Sequence, residues 1–339
     1  MWIWHPCILD LATLYSYNIP TTTTVHKALR AHHSPCYLEL FVPGRESLTT
    51  TSVQNLDQQL TFDFRLIQFL LRMFESVKSA IGGSGVTLED GGVILISETA
   101  STSANGLVTH FLSYGVTNGH PVCFVTLQHT WGHYCNIGNK LGLNFRQQID
   151  QGNIKVVEGL KLMAEVLDGS KSDIGHHPFD FILNTTENPL KNLYKLIKKS
   201  IEPWKENGQY FLIIIENITS LLNLGIQAGD INIFSQYCKA LVGGSNNTKS
   251  GSLIIVTTHD ERDEGACLVT KTIAHSAIIY MSLQGLSTGI SRDVHGDLKI
   301  TSFNRHSPFQ CLPSIHHFQF KMEDKNMKLF APGTSANVL

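Results

Sequence analysis

A strand, a loop of small residues and a helix succeed one another between Gly92 and Leu112, and few folds accommodate that order. Val93 to Ile96 is an unbroken apolar run with β-branched residues behind Gly91-Gly92, as a central parallel strand buried on both faces requires. Ser97 to Gly106 is small and polar, and Leu107, Val108, Phe111 and Leu112 then recur at the three-and-four spacing of an amphipathic helix. This is the layout of a phosphate-binding P-loop. The chemistry of one needs glycines that let backbone N–H groups wrap phosphate, a lysine for the β and γ oxygens, and a Ser or Thr for magnesium. Here no glycine precedes Gly106 in the loop, Leu107 follows it where lysine belongs, and the chain contains no Gly-Lys dipeptide. The segment reads as a nucleotide-binding scaffold without its nucleotide chemistry.

A second stretch supports the same scaffold. Phe211 to Ile215 is a fully apolar strand that closes on Glu216, where a P-loop enzyme places the carboxylate that holds magnesium through water. Without the lysine and hydroxyl, Glu216 is expected to be a structural or vestigial carboxylate, or one that touches a neighbour's ligand. Val122 to Leu127, Ile154 to Val157 and Leu253 to Val256 complete a set of apolar strands, with helices expected to end near Leu141-Gly142 and to span Glu187 to Trp204 and Ile226 to Leu241. Apolar strands alternating with helices make a mainly parallel α/β sheet flanked by helices. The tail changes character: Ala277 to Leu283 reads as a strand, and Ile290 to Val294 and Leu298 to Phe303 as a hairpin turning at His295-Gly296-Asp297. His317 to Met322 and Met327 to Phe330 extend it as further antiparallel strands.

Residues 1–60 lack sustained periodicity and are expected to be a disordered or non-native extension. Phe62, Leu66, Phe69, Leu70, Met73, Phe74 and Val77 mark an amphipathic helix, so that 61–90 reads as that helix with a Gly/Ser linker and 91–339 as the domain. At 339 residues, 42% hydrophobic and a formal net charge of −2, the chain is an ordinary globular protein with no overall attraction for polyanions. Nucleic-acid contact would have to come from a local patch or from partners. Seven scattered cysteines without a C-x-x-C pair fit a reducing compartment, and no segment reads as a signal peptide or membrane span.

Several segments then resemble the Elongator complex protein 6 family. They are Trp131-Gly132-His133-Tyr134 with Gly138-Asn139-Lys140-Leu141-Gly142, Thr219 to Gly225, Gly285-Leu286-Ser287-Thr288-Gly289, Arg292-Asp293-Val294-His295-Gly296, and Ser335 to Leu339. Their order is maintained from about Gly91 to the end, whereas residues 1–90 depart from the family pattern. The resemblance implies a RecA-like fold with degenerate Walker motifs, and a hetero-hexameric ring with Elongator complex proteins 4 and 5. That ring is expected to bind tRNA within Elongator, which installs carboxymethyl-type groups on wobble uridine. It implies a non-catalytic subunit, cytoplasmic and nuclear, associated with the remaining Elongator subunits and not with membrane.

In such domains the loops after the carboxylate strand and the next core strand face the ring channel; here these are Asn217 to Asp230 and His259 to Glu264. Arg262 in the second is the candidate RNA contact, although four acids surround it and a solvated charge cluster is the plainer reading. Arg292 and Glu216 are candidates for inter-subunit contact, Arg292 competing with a local ion pair to Asp293. His129, His133 and Cys135 have suggestive spacing, yet without a second cluster they read as packing and capping residues, and no metal or cofactor is expected. Two rivals are another non-catalytic RecA-like paralogue, such as a recombination mediator, and an unconventional ATPase built on Glu216 and Ser101 to Ser103.

Overall fold

The computed structural model describes residues 91–169, 177–184, 187–243, 251–286, 289, 291, 293–303, 313–323 and 327–332. The expected extension over 1–60, the helix and linker over 61–90, and Arg292 lie outside the described residues. Six parallel strands carry the domain: β1 (Gly92–Glu98), β2 (Val122–Thr126), β3 (Ile154–Glu158), β4 (Phe211–Ile215), β5 (Gly251–Thr258) and β6 (Ile279–Gln284). Three antiparallel strands follow, β7 (Gly296–Ser302), β8 (Ser314–Met322) and β9 (Met327–Phe330), in the order β3-β2-β4-β5-β1-β6-β7-β8-β9. The mainly parallel sheet with antiparallel strands at the C-terminal end is therefore as the sequence pattern predicts.

Alternation along each central strand divides the core into two layers. Ile94 and Ile96 of β1 face one cluster, which α1 (Asn105–Thr117), α2 (Trp131–Lys140) and α3 (Phe145–Asp150) close with Phe111, Tyr134 and Phe145. Val93 and Leu95 face the other, closed by α4 (Gly159–Leu167), α5 (Lys191–Glu206), α6 (Ala228–Val242) and α7 (Glu264–Ser276) through Ile197, Phe234 and Val269, among others. Each such side chain contributes about 1.5–3 kcal/mol by leaving water. Over its first five residues β7 buries one face: Leu298 and Ile300 join the first cluster while Asp297 and Lys299 are exposed.

One expectation is corrected here. The turn assigned to His295-Gly296-Asp297 is not a turn; Gly296 begins β7, and its antiparallel partners are β6 on one side and β8 on the other. The glycine answers a close approach and not a backbone angle. A Cβ there would stand 2.3 Å from the Gln284 carbonyl oxygen and 2.8 Å from the Phe320 ring.

Candidate functional site

The carboxyl ends of the parallel strands share one edge of the sheet, the place where open α/β sheets bind ligands. In this chain that edge is closed by its own groups. Glu216, directly after β4, is 2% exposed. Its Oε2 accepts the backbone N–H groups of Leu127, Gln128 and His129 at 3.0, 3.0 and 3.1 Å. Its Oε1 accepts His129 Nδ1–H at 2.6 Å and the Tyr134 hydroxyl in a short bond. Five donors converge on one carboxylate, so no lone pair faces outward.

The network continues on both sides. Asn217 takes a left-handed backbone, φ 41°, that asparagine tolerates better than most residues. Its Nδ2 donates to Gln128 Oε1 at 2.7 Å and Thr258 Oγ1 at 2.9 Å, and its Oδ1 accepts the Thr219 hydroxyl. Thr219 Oγ1 in turn accepts the Thr258 N–H at 2.9 Å, which ties the loop after β4 to β5. On the other side, the Tyr134 hydroxyl lies 3.3 Å from Asn105 Oδ1, and Asn105 Nδ2 makes long contacts with His129 Nε2 and His133 Nε2 at 3.5 and 3.4 Å. Burial, reinforced by the Glu216 carboxylate, pushes the Tyr134 phenol far above its ordinary range and keeps it a donor. Burial and then the neighbouring His129 hold the His133 imidazole below its usual value.

The loop after β1 is filled in the same manner. Glu98, 8% exposed, reaches across it to accept the Ala104 N–H at the start of α1 at 2.5 Å. A carboxylate thus takes the donor that a helix N-terminus would otherwise offer to an anion. Burial raises the Glu98 carboxyl above the usual carboxylate range, against the opposing pull of the Ala104 N–H. Thr99 and Thr102 bond to each other across the same loop, and Ser103 Oγ accepts the Asn105 N–H at 3.2 Å. The loop after β6 lies against it: a Cβ on Gly285 would stand 2.5 Å from Ser101 Oγ.

Segments that set the resemblance, Trp131 to Tyr134, Thr219 to Gly225 and Gly285, therefore meet around this edge. Residues 74–324 match the model of the Elongation complex protein 6 family. The chain belongs to that family. It is 32% identical to Elongator complex protein 6 of Xenopus laevis over 274 residues and 32% identical to that of Mus musculus over 277, each covering 79% of this chain and 100% of the relative. The Homo sapiens protein of that name is 28% identical over 278 residues with the same coverage. The family match begins at Phe74, inside the stretch read from sequence as helix and linker.

As an Elongator complex protein 6 family member, the chain places the candidate residues unevenly. Glu216 is turned inward and spent on its own loop. Arg262 is exposed, its guanidinium Nε 3.2 Å from Asp260 Oδ1, and the Arg262 backbone N–H, seconded by that guanidinium, holds the Asp260 carboxyl below its usual range. His129 and His133 stack at 4.6 Å, but among the described residues no group of three or more His, Cys, Asp or Glu could hold a metal ion. Sequence reasoning missed Glu98, Asn105 and Tyr134. The one local sign was a lone acid inside an otherwise small, uncharged loop.

Proposed function

We propose that this Elongator subunit is non-catalytic and RecA-like, and that it stands in a hetero-hexameric ring with Elongator complex proteins 4 and 5. The ring binds tRNA in support of wobble-uridine carboxymethyl-type modification, in the cytoplasm and nucleus. One observation carries the non-catalytic reading: the carboxylate after β4, which a nucleotide hydrolase would need for its magnesium shell, is saturated by five donors of its own chain. The degenerate loop after β1 supports it, since Glu98 satisfies the Ala104 N–H. Antiparallel strands added beside β6 support the RecA-like assignment. Head-to-tail contacts between related domains close into rings without requiring a nucleotide site in every member, so the faces of this domain are its contribution.

Native mass of the full chain co-expressed with the two partner subunits tests the assembly, with a hetero-hexamer expected and a persistent monomer excluding it. ATP turnover by the purified chain alone would overturn the non-catalytic reading. The proposed reach of Arg292 toward a neighbouring subunit is tested by the ring's ATPase, which Arg292→Ala leaves unaltered if the residue serves only a local ion pair.

A further inference from the structure

Helix α5 carries a run of exposed basic residues. Leu193, Ile197, Ile201 and Trp204 bury one face of it. Lys191, Lys195, Lys198 and Lys199 stand together on the opposite, exposed face. None of the four makes an ion pair among the described residues. The first turn of α5 has no acidic residue, so Lys191 opposes the helix dipole. The buried carboxylate at that end, Asp180, bonds to Asn192 Nδ2 at 2.9 Å. Like charges four apart on a helix each cost a few tenths of a kcal/mol. Glu202 stands on the same exposed face, four positions beyond Lys198 and three beyond Lys199, and Glu206 a turn further on, whereas Lys195 has no acid three or four positions away. The repulsion therefore centres on Lys195, which faces Lys191, Lys198 and Lys199, and a polyanion along this face would relieve it.

An aromatic pair borders the row. Tyr194 sits one turn from both Lys191 and Lys198 on α5, and its ring is 5.5 Å from that of Tyr237 on α6. Tyr237 is 57% exposed. Lysines at i and i+4 are about 6 Å apart along the axis, a spacing suited to successive charges on a polynucleotide. Bases stack on tyrosine rings whatever their sequence, whereas an acidic peptide could use the ammonium row but would present a planar side chain to Tyr237 only where its sequence supplies one.

We propose that Lys191, Lys195, Lys198 and Lys199, with the Tyr194–Tyr237 pair, form a contact surface for RNA in which the lysines track the phosphates and Tyr237 stacks an unpaired base. The surface rests on the tRNA-binding reading above and gives it a location. It also separates the charge from Arg262, which Asp260 already engages.

The test uses the full chain assembled with its Elongator partners and an unmodified tRNA transcript, titrated at several salt concentrations. Replacing Lys195, Lys198 and Lys199 together by Gln should lower the slope of log affinity against log salt by about 2, since each phosphate contact on a single strand contributes about 0.7. Tyr237→Ala should weaken binding about five- to a hundredfold and leave that slope unchanged. If the unsubstituted assembly fails to bind tRNA, the functional reading falls and the surface with it. If it binds and both variants match it in affinity and slope, only the surface is overturned. Loss of a protein subunit from the Gln variant with tRNA affinity intact would assign the row to an acidic protein and overturn it equally.

Discussion

The edge beyond β1, β2, β4 and β5 and the outer face of α5 treat charge in opposite ways. At the edge, two buried carboxylates have found donors within the chain, five for Glu216 and the Ala104 N–H for Glu98. On α5, four exposed ammonium groups have no ion pair among the described residues. Self-satisfied polar groups stabilise one arrangement and leave nothing to offer a ligand, while uncompensated charges weaken the helix and remain available. The edge that resembles a binding site thus commits its carboxylates to its own chain, whereas the lysines of α5 stay exposed.

Glu216→Ala is the severest way to break the contrast. It strands the buried Leu127 N–H and Tyr134 hydroxyl and releases the half-buried Gln128 and His129 N–H groups, and with about 1–3 kcal/mol for each buried donor urea denaturation should show a loss of at least about 2 kcal/mol. A loss below 1 kcal/mol would mean that the edge is not held as described. Glu98→Gln acts with the opposite sign. Because burial raises the folded carboxyl above its ordinary value of 4.5, the ionised form is disfavoured at neutral pH, and the stabilising protonated form is lost as the pH rises through the folded value. The amide keeps an acceptor for Ala104, so the variant should be more stable than the parent at neutral pH, and the gap should close below pH 4.5. A pH series of denaturation midpoints decides it.

On α5, Lys195→Glu creates pairs with Lys191 and Lys199. It should stabilise the chain by about 0.5–1 kcal/mol while weakening tRNA binding by the assembly. A variant that gained stability and kept full affinity would detach the lysine row from RNA. Arg262→Ala should have the smallest effect, within about 0.5 kcal/mol in stability, with affinity and salt slope unchanged, because the guanidinium is already engaged by Asp260. A reduced salt slope would return that loop to the RNA-facing role.

Much of the fold was readable because its cause is local. Val93 to Ile96, Val122 to Leu127 and Phe211 to Ile215 are apolar runs that only a doubly buried strand uses, and each became one. The β7 error arose where the cause is distant, for Gly296 is required by the Gln284 carbonyl and the Phe320 ring, which no local pattern displays. Glu216 was recognisable as a carboxylate ending an apolar strand, but its donors come from the loop after β2 and from Tyr134, far away in the chain. The lysines of α5 were visible as letters. Their meaning depends on the ion pairs they do not make among the described residues and on Tyr237, which only packing of α6 beside α5 brings near Tyr194.

The five-donor grip on Glu216 has a metabolic consequence. A domain completed by ATP gains stability with ligand concentration, roughly as the logarithm of occupancy, and loses it when the ligand is scarce. Here the loop after β2 is held by a carboxylate of the same chain, whose effective concentration never falls. The subunit should melt at the same temperature whether or not nucleotide is added, a constant fixture in cells whose energy supply fluctuates.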